Sequence, residues 1–78
     1  MKNAMYPENV YIQHYEEIKE IRDGSGRKPD LFVQLNIFDE KHGLAYNELA
    51  RAQYRHWRSV ETGVPQLMSQ RDRELLGL

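Results

Sequence analysis

Residues 44–60, LAYNELARAQYRHWRSV, constrain the fold more than any other stretch of the chain. At 100° per residue, Tyr46, Leu49, Ala50, Gln53, Trp57 and Val60 fall on one side, and Asn47, Arg51, Arg55 and Arg58 fall on the other. This pattern predicts an amphipathic helix that turns its apolar flank, with the one tryptophan, into the core. The arginines are then expected along a solvent-facing row.

A chain of 78 residues makes a single domain, 1–78, and buries only roughly 60% of the surface its unfolded form exposes. It has no cysteine, which excludes disulfides and thiolate metal sites as a source of stability. Efficient aromatic packing or self-association remains, so a homo-oligomer is expected. Eleven Lys and Arg against twelve Asp and Glu argue against a general electrostatic grip on nucleic acid or an anionic membrane, but allow a local basic stripe. Apolar runs fall far short of the roughly 20 residues that cross a bilayer. Residues 1–6 lack the apolar centre of an export signal, and with the missing cysteines this predicts the cytoplasm.

Pro7 and Glu8 suit a first helical turn. From there to Asp23, the residues Tyr11, His14, Tyr15, Ile18 and Ile21 share one side, Glu16, Glu17 and Glu20 the other, and Gly24 is placed to end the helix. DGSGRKP, residues 23–29, is a loop; it lacks the acids of a calcium loop and the Gly-Lys-Ser/Thr of a phosphate loop. LFVQLNIF, residues 31–38, alternates with period two and predicts a strand, folded back as a hairpin or paired with another chain. A short helix begun by Pro29-Asp30 is the competing reading. Glu61-Thr62-Gly63 closes the central helix, and residues 66–76 predict a last short one. The expected fold is a helix-dominated α+β domain in the order helix, short strand or hairpin, long helix, short helix. Its expected core is Trp57, Leu49, Tyr46, Tyr15, Ile18, Tyr11 and Leu35.

Histidines 14, 42 and 56 form no His-Glu-x-x-His pattern, and no Gly-x-Ser-x-Gly elbow is present. Neither a catalytic group nor a cofactor is expected on these grounds. One acid–lysine order has chemical logic. Pro29-Asp30 opens the predicted strand, Asp39-Glu40-Lys41 ends it, and Gln53 follows on the central helix. This order resembles the PD-(D/E)xK nuclease superfamily, most of all its small virus-type repair nuclease branch. The resemblance spans residues 27–67 and implies Mg²⁺ held by Asp30 and Asp39. It further implies Lys41 at the attacking water and Gln53 pointing inward, with Glu16, Glu17 or Glu20 as the acid of the first helix.

Arg51, Arg55 and Arg58 at i, i+4, i+7, headed by Asn47 and bordered by Tyr54, would grasp phosphates or carboxylates. Glu16, Glu17 and Glu20 offer a second, acidic surface. A protein partner fits both, and nucleic acid fits the first. A strand followed by two helices is also the order of ribbon-helix-helix dimers, in which Gln34 and Asn36 would read base edges. The main expectation is a non-catalytic cytoplasmic binding or regulatory module that associates with itself. A minimal Mg²⁺-dependent nuclease is the alternative, and a ribbon-helix-helix regulator comes third.

Overall fold

A computed structural model describes residues 5–78; the first four, part of the stretch read for an export signal, lie outside it. Its elements are α1 (Val10–Gln13), α2 (Tyr15–Lys19), α3 (Leu31–His42), α4 (Glu48–Thr62), a 3₁₀ turn (Pro65–Leu67) and α5 (Gln70–Leu76). Among the described residues every regular element is helical, so the α+β expectation is overturned. No helix among them is long and apolar enough to cross a membrane.

The error lies in residues 31–38, which form most of α3 rather than a strand. Asp30 caps the helix, its Oδ1 accepting from the Val33 amide at 3.0 Å. Gly43 closes it in the left-handed conformation, with the Leu44 amide bonded back to the Asp39 carbonyl. The buried residues, Gln34, Leu35, Phe38 and Asp39, recur at helical spacing. An eight-residue apolar window satisfies either period, and the caps at its two ends decide for the helix. With the strand go the hairpin, the interchain ladder and the ribbon-helix-helix arrangement.

The first helix is shorter than expected and is interrupted at His14. Asn9 starts it late, its Oδ1 accepting from the Tyr11 and Ile12 amides. Gly24 does not end it; α2 stops at Glu20, and Gly26 takes the positive φ in the loop. Asp23 organises that loop, its Oδ1 accepting from Ser25 and from the Arg27 amide.

The chain forms two compact units. In one, which joins the chain up to Gln13 with Asn47–Leu78, α4 packs against α1, the 3₁₀ turn and α5. Tyr11, Ile12, Ala52, Tyr54, Trp57 and Met68 are its buried apolar residues. The Tyr54 ring lies 6.0 Å from Tyr11 and is stacked 6.1 Å from Trp57, centre to centre. Ser69 and Asp72 form a reciprocal capping box at the start of α5. Asp72 also accepts from Arg55 Nη1 at 3.2 Å, a partly buried pair that fastens α5 to α4.

In the other unit, His14–Tyr46, α2 packs against α3, with Ile18, Leu35 and Phe38 buried. The buried Gln34 donates to the Ile21 carbonyl, which satisfies its amide. His14 and His42 both lie against the Phe38 ring, at 5.5 and 4.3 Å between centres.

Candidate functional site

Of the expected core, Trp57, Ile18, Tyr11 and Leu35 are buried, but Leu49 and Tyr46 are 47% and 61% exposed. Tyr46 precedes the Asn47 cap and is not on the helix at all. On α4 the departure is a rotation. Tyr54 and Trp57 face inward on the flank next to α1, while Arg55 reaches α5 on another. A helix gripped on two flanks buries residues that a single apolar stripe assigns to solvent.

That rotation dismantles the expected arginine row. Arg51 is 1% exposed and Tyr54 is fully buried, so neither is presented to solvent. Arg55 is committed to Asp72, and the half-buried Arg58 holds its guanidinium 5.8 Å from the Tyr54 ring centre. Asn47 works as the cap of α4, its Oδ1 accepting from the Ala50 amide.

The three acids of the first helical region lie on α2 and at its end, each with a neighbouring cation. Glu16 pairs with Lys19 at 2.9 Å and Glu20 with Arg22 at 3.6 Å. Glu17 is the meeting point of two elements, its Oε2 lying 2.7 Å from His42 Nε2 and 3.1 Å from Lys41 Nζ. The His42 hydrogen bond first, and then that of Lys41, hold the Glu17 carboxyl below its ordinary 4.5. Its folded value is thus below its unfolded one. The contribution of Glu17 is complete above the unfolded value and is lost as pH falls through the folded value. Acid unfolding followed by circular dichroism should therefore show a stability loss below about pH 4.5 that Glu17→Gln diminishes. An unchanged acid limb in the variant would contradict the linkage.

The two metal ligands implied by the nuclease resemblance, Asp30 and Asp39, do not meet. Asp30 and Asp39 sit on one helix, nine residues apart, which the helical rise converts to about 13 Å along the axis. One ion ligated at roughly 2 Å by each cannot span that distance. Asp30 is a cap, Asp39 is buried, and Lys41 is paired with Glu17. Gln53, the polar residue on the expected apolar face, accepts from Asn9 Nδ2 at 3.0 Å. No cluster of three or more His, Asp or Glu that could hold a metal occurs among the described residues.

What α4 does present is a different line. Leu49, Gln53, His56 and Val60 follow i, i+4, i+7, i+11 along one side of it. Leu49 and Val60 stand out at the two ends, Val60 at 57% exposure, with the half-buried Gln53 and His56 between them. His56 is held by a 2.7 Å hydrogen bond to the Tyr6 hydroxyl, and burial pushes that phenol above its ordinary range. Spacings of four, three and four are those of a coiled-coil seam. The spacing of Leu49, Gln53 and Val60 is visible in the sequence, but apolar character alone assigns all three to the core. Asn9, Asp72 and the Tyr6–His56 pair were missed. Ser69-x-x-Asp72 carried a capping signature that could have been read, whereas no local signal marks the Tyr6–His56 contact. The chain matches no protein-family model, no characterised protein and no solved structure.

Proposed function

We propose that this chain is a binding module that acts through macromolecular contact, and that its first partner is a second copy of itself. The observation that carries this reading is the Leu49–Gln53–His56–Val60 seam of α4, apolar at both ends and polar in the middle. Brought together antiparallel about a two-fold axis, two such seams set Leu49 of each copy against Val60 of the other and Gln53 against His56. Apolar groups then meet apolar groups, and polar groups inside the seam specify register at some cost in stability. Four residues per copy make a small interface, so the association is a reversible one. The absence of cysteine supports a reducing, cytoplasmic setting.

Sedimentation equilibrium over a range of concentrations tests this directly. The expected result is a monomer–dimer equilibrium that the double change Leu49→Glu, Val60→Glu shifts wholly to monomer. Both positions are solvent-exposed, so the circular dichroism spectrum and melting temperature should stay near their original values. A parent chain that stays monomeric at every concentration, or a double variant that dimerises as before, would dispose of the proposal.

A further inference from the structure

The start of α4 carries a second, separately built feature. The segment running into α1 lies beside α4 and leaves an open cavity of about 360 Å³, lined by Pro7, Glu8, Val10, Asn47, Ala50 and Gln53 among others. Its wall is fastened rather than loose. Asn9 caps α1 through its oxygen, while its Nδ2 donates to the Ala50 carbonyl at 2.9 Å and to Gln53 Oε1 at 3.0 Å. Tyr6, which adopts a φ of 52°, is held by its bond to His56. A wall fixed in advance spares a ligand the cost of ordering it.

Two carboxamides line this cavity with their oxygens already committed to the protein. Asn47 Oδ1 accepts from the Ala50 amide, and Gln53 Oε1 accepts from Asn9. A planar amide whose oxygen is fixed turns its NH₂ the other way. Neither Asn47 Nδ2 nor Gln53 Nε2 donates to another described residue. The cavity thus has two neutral donors suited to carbonyl oxygens, an apolar floor from Pro7, Val10 and Ala50, and the exposed Glu8 carboxylate as its charged lining group.

We infer that this cavity binds a short extended peptide segment carrying a lysine or arginine. Its main-chain carbonyls accept from the carboxamides of Asn47 and Gln53, and its cation meets Glu8. The Glu8 carboxylate disfavours a phosphate by like-charge repulsion and leaves carbonyl oxygens as the acceptors these donors suit. The carboxylate rejects an acidic segment by like-charge repulsion. Glu8 and Asn47 lie off the Leu49–Val60 seam, whereas Gln53 belongs to both, so Glu8 and Asn47 are the residues that separate this site from self-association.

Titration of the ¹⁵N-labelled full chain with two acetylated tripeptide amides, alanyl-arginyl-alanine and alanyl-glutamyl-alanine, tests the assignment. The arginine peptide is expected to move the side-chain NH₂ resonances of Asn47 and Gln53, binding about fivefold more tightly than the glutamate peptide. Glu8→Gln should abolish that preference. Asn47→Ser, which keeps a capping oxygen but lacks the NH₂, should weaken both peptides while leaving the fold intact. The seam variant Leu49→Glu, Val60→Glu, in which no dimer covers Gln53, should still show the arginine peptide moving the Asn47 and Gln53 NH₂ resonances, and Glu8→Gln should dimerise as the parent does. Stationary NH₂ resonances with both peptides, or equal affinity for the two peptides in the parent, would overturn the inference whatever the oligomeric state.

Discussion

Replacing Trp57 with alanine is expected to remove a large part of the stability of the chain, about 3–5 kcal/mol. The ring is 2% exposed and stacks on Tyr54, which itself lies against Tyr11, so its loss empties the place where α1 and α4 meet. Domains of this length have roughly 4–12 kcal/mol in total at ~0.05–0.15 kcal/mol per residue. The variant should therefore be partly unfolded at room temperature. Urea unfolding followed by far-ultraviolet circular dichroism measures the change without relying on the lost fluorophore. Trp57→Phe, which leaves a smaller void, should cost clearly less. A loss under about 1 kcal/mol for the alanine variant would mean that the ring does not anchor the unit.

Asp72→Ala is expected to have the second largest effect, about 2–4 kcal/mol, because one carboxylate performs two tasks. It completes the capping box with Ser69, and it neutralises Arg55 while itself only 2% exposed. Its removal leaves a guanidinium, whose side chain is 18% exposed, without its buried counter-charge. The α5 helix, only seven residues long, cannot persist without its cap and its fastening to α4. Hydrogen exchange should show α5 amides losing protection first in this variant. A double-mutant cycle with Arg55→Met isolates the pair from the cap, and a coupling energy near zero would remove the ion pair from the account. The exposed Glu48–Arg71 pair also joins α4 to α5, yet Glu48→Ala should change stability little, since both charges remain in water.

The helices themselves were written locally. Asn47 before α4 and Gly63 after it, and Asp30 and Gly43 around α3, are signals that act within a few residues. In α3 those signals were present but were outweighed by an alternating pattern that a short apolar run shows in either conformation. The candidate surface was far less legible. Spacing puts Leu49, Gln53 and Val60 on one face, and apolar character turns that face inward, whereas Leu49 and Val60 are exposed in the protein. Periodicity alone places Arg51 on the solvent side, yet it is buried.

Caps and periodicity are properties of the chain over a turn or two, and residue order is enough to specify that a helix runs through this stretch, where it ends and that Trp57 lies inside. Which way a helix is rotated about its own axis depends on what flanks it. Here α1 lies against the Tyr54 side and α5 is tied on through Asp72 and Arg55. Those partners lie 17 to 43 residues away in sequence, as the Arg55–Asp72 and Tyr11–Tyr54 separations show. No local pattern encodes contacts at that range, so only folding could decide which side of α4 remained outside.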